Sequence, residues 1–372
     1  MDNNQLVNLN DLCFYACSIY DDSMYFFTEK SNIFVKMDMH NYKTELLCYE
    51  DKGNDVLDEK TAFLLSYGSS IFRLQLNDRR VIEYKLDSNE TFFYDIKESK
   101  RAYGNFSYMT IYGDYLYLFP GCVLKVIIID LKHKKIINKI DISDIVKKYN
   151  LFGEDEMYWE KGCLSDNTHV MLYAKNRREI FCFDLSNNVY EIVCLPKAIN
   201  GVIDICQIEN GLCILDSQNN LYEWDCVNNE VELMAEFIEK YDELYFSRIV
   251  NTCNKIILLP SIGEDIFIFD KKDKVFSVYH NYPGDFEYIG YAGWGKYNNE
   301  CQMGNCIYFP MRRSNYVLKI DKQTGDLEWI KPIPPLKADR AQYYIDKKVK
   351  YFNENGISLE EFIHVVTNGD DK

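Results

Sequence analysis

One short phrase recurs along this chain and limits what it can fold into. It is an apolar residue, any residue, a second apolar residue, an aspartate and then a polar turn. It reads VKMDMHNYK at Asp38, YKLDSNETF at Asp87, IIIDLKHKK at Asp130 and FCFDLSNNV at Asp184. It continues as YEWDCVNNE at Asp225, FIFDKKDKV at Asp270 and LKIDKQTGD at Asp321. Successive aspartates lie 49, 43, 54, 41, 45 and 51 residues apart, a spacing that means one supersecondary unit repeated. The alternating apolar positions belong to a strand that ends where the chain must reverse. A carboxylate at the head of that reversal can accept backbone N–H groups two residues on. The seven aspartates therefore read as turn residues rather than as catalytic groups or metal ligands.

Upstream of the phrases lie a turn and a second apolar stretch, such as YGDY then YLYLFP before Asp130, or NTCN then IILLP before Asp270. Downstream comes a shorter strand, such as KIINKI, YEIVCL or FSVYH. Thirty Tyr and 22 Phe fit this, because aromatic and β-branched residues favour pleated, half-buried surfaces. Each unit thus reads as four short antiparallel strands, a to d, joined by hairpin turns. Seven such units predict an all-β chain, a seven-bladed β-propeller, with six or eight blades as the alternatives. Blade 2, about residues 59–98, is the least regular, since TAFLLSY is tight against the next strand.

Over roughly residues 10–335 the chain resembles the β-propeller superfamily in general. The paired glycines of Kelch repeats are absent, and Trp224–Asp225 is an isolated instance of the dipeptide that marks WD40 repeats. The resemblance implies fold and transfers no family residues. The expected organisation is an N-terminal segment (1–10), the propeller (11–335) and a C-terminal helical appendix (336–372). In that appendix residues 338–353 carry helix-period apolar positions, and Ser358 with Glu361 forms a capping box before Phe362 and Ile363. Residues 5–9 (QLVNL) are a candidate extra strand for the last sheet.

A net charge of −16 sets the surface against phosphate backbones, so no nucleic-acid partner is expected. No apolar run approaches a membrane span, and the first residues show no secretory pattern. Thirteen cysteines without framework spacing, several inside strand patterns, read as reduced buried thiols and a cytoplasmic setting. No C-x-x-C occurs and the five histidines lie far apart, so neither a metal nor any other cofactor is expected. NENGISLEEF in the tail has the look of a calcium loop, but Tyr351 stands at the first ligand position and the spacing after Gly356 is short.

Propeller topology puts the d-to-a connections and b-to-c loops on one face. The d-to-a connections carry the length variation, at residues 50–60, 141–157, 234–244 and 279–290. Asp141 to Asn150 and Met234 to Tyr241 read as short helices. Long loops on a rigid scaffold are where binding chemistry sits. Aligning the inner strands on their turns places Tyr108, Asp204 and Arg248 around the channel mouth, with Phe106, Glu160, Phe246 and Lys296 close by. Trp159 and Trp294 fall at comparable entrances. Arg177–Arg178, Arg312–Arg313 and Arg79–Arg80 occupy b-to-c loops, where a guanidinium fork can take a carboxylate or phosphate.

The binding candidates are therefore Tyr108, Trp159, Arg248, Trp294, Lys296, Arg177, Arg312 and Arg313, and the acid–base candidates are Glu160, Asp204 and His280. The expected function is a binding module recognising a protein, a peptide or a small anionic ligand through this face. The alternative is a lyase or hydrolase acting on a small anionic or peptide substrate in the channel mouth, and glycan binding is a third reading.

Overall fold

The structure is a computed structural model and describes residues 14–28, 34–47, 61–75, 80–98, 105–151, 158–175, 177–209, 211–237, 245–262, 265–286, 297, 300–311, 314 and 316–333. Among these residues 28 strands form seven antiparallel sheets, each made of four consecutive strands in order. The first strands of the blades pack side by side around a ring. They are β1 (Phe14–Tyr20), β5 (Thr61–Tyr67), β9 (Phe106–Tyr112), β13 (Lys161–Leu164), β17 (Val202–Ile208), β21 (Tyr245–Asn251) and β25 (Cys301–Met303). The protein is thus a seven-bladed β-propeller, as the repeat predicts, and blade 2 is complete with strands from Thr61 to Asp95.

Seven apolar clusters hold the ring, one at each blade-to-blade junction. Phe119, Val126, Trp159, Leu172 and Phe181 join blades 3 and 4. Cys17, Phe26, Val35, Cys301, Tyr308 and Val317 join blade 7 back to blade 1. A four-stranded sheet has two faces, and each face here is covered by the next blade in the ring. Every fully buried Phe or Leu in these layers contributes about 1.5–3 kcal/mol.

The repeated aspartates do head the turns after the third strands. Asp38 Oδ1 accepts the N–H groups of His40 at 2.7 Å and Asn41 at 3.1 Å. Asp184, Asp225, Asp270 and Asp321 make the same pair of bonds, and Asp130 takes the N–H of His133 at 2.8 Å. Four residues after each aspartate the chain enters the left-handed region, at Tyr42, Lys134, Asn188, Asn229, Lys274 and Gly325.

Blade 2 corrects the reading of Asp87. There the left-handed residue is Asn89, whose N–H donates to Lys85 O at 3.0 Å, so Lys85 heads the turn. The N–H of Leu86 donates to Ser69 O, just as that of Leu131 donates to Asp114 O and that of Leu185 to Thr168 O. Asp87 falls two positions too late, and its Oδ2 accepts the Ser69 hydroxyl at 2.6 Å.

The expected helix at 141–150 is present as α1 (Ser143–Lys148), which buries its own Val146. The one expected from Met234 is corrected over its described part, because Met234 to Glu236 close the strand β20 (Glu230–Glu236). Blade 7 supplies all four of its own strands. Residues 5–9 and the C-terminal appendix lie outside the described residues. After the last strand, Ile333 donates its N–H to Tyr42 O at 2.7 Å and accepts that of Thr44 at 2.9 Å, tying blade 7 to blade 1.

Hydrogen bonds hold the six turn aspartates below the usual carboxylate range, chiefly from backbone N–H groups at five of them and chiefly from the Ser186 and Asn187 side chains at Asp184, which is drawn down to about 2. A depressed folded pKa gives stability that is present above the unfolded value of about 3.9 and is lost as pH falls through the folded value. The melting temperature of the wild type is expected to drop more steeply between about pH 4 and pH 2 than that of a chain with asparagine at all six positions. Parallel melts across that window check this.

Candidate functional site

One register position on the inner strands gathers the polar groups of the ring. In blades 2 to 6 it is the residue opposite the fifth residue of the second strand: Phe63 faces Leu74, Tyr108 faces Phe119, Lys161 faces Tyr173, Asp204 faces Leu215 and Arg248 faces Leu259. In blade 7 Cys301 faces Tyr308, so Glu300 comes opposite Phe309, the fourth residue of the second strand, one residue off this position. Three consecutive blades therefore present Lys161, Asp204 and Arg248, with the sign alternating from one to the next. Blades 2 and 3 present Phe63 and Tyr108, which meet edge to face at 6.5 Å. All of these lie toward the start of their strands, the end fed by the d-to-a connections.

A β-bulge precedes this position in blades 2, 3, 5 and 6, adding Ala62, Ser107, Ile203 and Ser247. A bulged residue leaves the regular ladder, so its carbonyl needs another donor. Lys161 supplies it twice over: its Nζ donates to Ser247 O at 2.8 Å and to Ile203 O at 3.3 Å. One side chain from blade 4 thus caps the bulges of blades 5 and 6.

Asp204 is buried and satisfied on both oxygens. Oδ1 accepts the Tyr173 hydroxyl at 2.6 Å and Arg248 Nη1 at 3.3 Å, while Oδ2 accepts the N–H of Ile249 at 2.8 Å. Arg248 reaches onward, its Nε 3.8 Å from Glu300, and Glu300 is half exposed. The Tyr108 ring rests on Gly162, where an added Cβ would come within 2.6 Å of the Tyr108 Cβ. Burial pushes the Tyr108, Tyr173 and Cys163 protons up from their ordinary values, so all three stay neutral. Lys161 is drawn down to about 8, chiefly by burial; Asp204 opposes this and the Arg248 guanidinium adds to it.

Of the residues picked out from sequence, Tyr108, Asp204 and Arg248 stand together. Glu160 is exposed one residue before the ring position, its N–H donating to Tyr173 O at 3.0 Å. Trp159 is not at an entrance. It is fully buried between blades 3 and 4, 5.0 Å from the Phe181 ring, where it anchors the connection that carries α1. Phe106 and Phe246 are likewise core residues. His280 sits on the outer rim, paired with Asp265 at 3.1 Å and away from the ring position. Arg177 is half-buried in the b-to-c loop of blade 4, next to the close approach of Gly201 to Lys175 O. Arg80 opens the third strand of blade 2 and pairs with Asp95 at 3.1 Å. Trp294, Lys296, Arg312 and Arg313 lie outside the described residues.

Sequence reading missed Lys161, Tyr173 and Glu300. The signal for Lys161 was its adjacency to Glu160, which the sequence placed close to the mouth. Among the described residues no three His, Cys, Asp or Glu side chains converge as metal ligands would, and no helix is long and apolar enough to cross a membrane.

The fold and the inner ring define a seven-bladed β-propeller with a charged and aromatic axial lining. No protein-family description and no curated protein matches the sequence. Among solved structures it is similar to PorZ, a bacterial surface component of the type-IX secretion system of Porphyromonas gingivalis, with a TM-score of 0.54 at 10% identity over 87% of this chain. The chain spans 38% of that PorZ chain. It is similar to BamB from Moraxella catarrhalis, with a TM-score of 0.50 at 11% identity over 82% of each chain. It is also similar to a chain of the mitotic checkpoint complex, with a TM-score of 0.50 at 8% identity over 90% of each. At such identities the likeness is one of fold.

Two measurements test the ring. Asp204→Ala leaves Arg248 without its buried partner and is expected to destabilise by roughly 3–5 kcal/mol in chemical denaturation. Between about pH 8 and 9.5 the unfolded chain holds the Lys161 proton that the folded chain releases, so stability rises with pH there. Wild type is expected to gain about 1 kcal/mol per pH unit over Lys161→Met in that window, read from paired unfolding curves.

Proposed function

We propose that this propeller is a binding module whose long-loop face and axial mouth receive a peptide or a small anionic ligand, presented by itself or by a protein partner. The observation that carries the reading is the single ring position, aromatic on blades 2 and 3 and charged on blades 4 to 6, with Glu300 of blade 7 beside Arg248. Such a mouth can orient a ligand with one apolar and one ionised side. Arg248 is the expected anchor, because Asp204 fixes one edge of its guanidinium while the rest points toward half-exposed Glu300. A carboxylate entering there would compete with Glu300 for a preorganised fork. The cytoplasm is the proposed setting, resting on the cysteine usage.

Among the structural relatives, PorZ is described as a component of a secretion system, and another matched chain comes from a checkpoint assembly. Membership of assemblies agrees with a recognition role and names no partner for this chain.

The test is affinity capture from native lysate, with mass spectrometry of the retained proteins and small molecules, beside Arg248→Met and Tyr108→Leu. Both variants are first shown by melting to be folded. A partner retained by wild type and lost from Arg248→Met supports the reading. Identical captures from all three would sink it.

A further inference from the structure

Among the described residues blade 1 and blade 7 are each built from their own four consecutive strands, with no strand exchanged between them. Across the seam run an apolar cluster, the backbone bonds of Ile333, the Thr44 hydroxyl bond to Ile333 O and one pair of sulfur atoms. Cys17 on β1 and Cys301 on β25 bring their Sγ atoms to 3.1 Å across 284 residues of chain. Both side chains are buried, at 3% and 9% exposure.

We propose that Cys17 and Cys301, reduced at rest, form a disulfide under oxidising conditions that clasps the propeller ring at the junction of its first and last blades. A disulfide needs sulfurs at about 2.05 Å, so the two atoms have roughly 1 Å to close. The oxidant is a low-molecular-weight disulfide such as oxidised glutathione. The thiolate of one cysteine attacks it and expels one small thiol, leaving a mixed disulfide; the second cysteine then displaces the other. Both S–H bonds break and one S–S bond forms. The two electrons reduce the reagent to two thiols, which take up the two protons. Burial pushes the Cys301 thiol well above its ordinary value, so little thiolate is present at neutral pH. The clasp therefore forms slowly and is sped by mild alkali. Once made, it closes a very long loop, the case in which a cross-link restricts the unfolded chain most.

The experiment treats the folded full chain with excess oxidised glutathione at mildly alkaline pH. Remaining thiols are then alkylated in denaturant, and the chain is digested and mapped by mass spectrometry without reduction. The expected product is one linked species containing Cys17 and Cys301, lighter than its two parent peptides by two hydrogen atoms. Its formation is expected to raise the melting temperature by about 5 °C or more, reversibly with reductant. Cys17→Ala and Cys301→Ala are expected to lose both effects. The linkage itself is read on wild type, so a variant that folds poorly leaves the test intact. Recovery of Cys17 and Cys301 only as separate peptides, while exposed Cys194, Cys226 and Cys253 are oxidised, overturns the proposal.

Discussion

Everything in this molecule rests on apolar contact between neighbouring blades. A four-stranded sheet alone has two faces to cover and cannot bury both. Here each blade lends a face to the neighbour on either side, and the seven clusters tile the ring without a gap. The consequence for function is indirect but strong. Because side-by-side packing carries the stability, the inner ends of the first strands are free to hold polar side chains. The bulges at those ends loosen the ladder further and aim carbonyls at Lys161.

Much of the fold was legible because the signal was local and repeated. The apolar alternation before each aspartate, and the carboxylate's use as a turn acceptor, need only a few neighbouring residues. The exception at Asp87 teaches the limit. That segment contains both an apolar–x–apolar–Asp phrase and a usable turn, but the two are offset by two residues, and only backbone pairing decides that Lys85 heads the reversal.

The inner ring was half legible for the same reason. Between Tyr108, Asp204 or Arg248 and the turn that follows, the pairing is unbroken, so aligning turns brings them into line. Glu160 falls one residue short of Lys161, and the described inner strand of blade 7 is only three residues long, too short to set a register by pattern. Trp159 failed differently. Aligning the inner strands put it at an entrance, yet tertiary packing turned it inward, which no window of sequence records.

The polar groups of the ring carry a mechanical consequence. Ladder hydrogen bonds run within a blade, but Lys161 of blade 4 bonds to carbonyls of blades 5 and 6, and Asp204 of blade 5 accepts from Tyr173 of blade 4 and from Arg248 and Ile249 of blade 6. Blades 4, 5 and 6 are thus laced together around the axis as well as packed face to face. Sliding one of them against its neighbours would have to break polar bonds at the centre along with apolar contact further out.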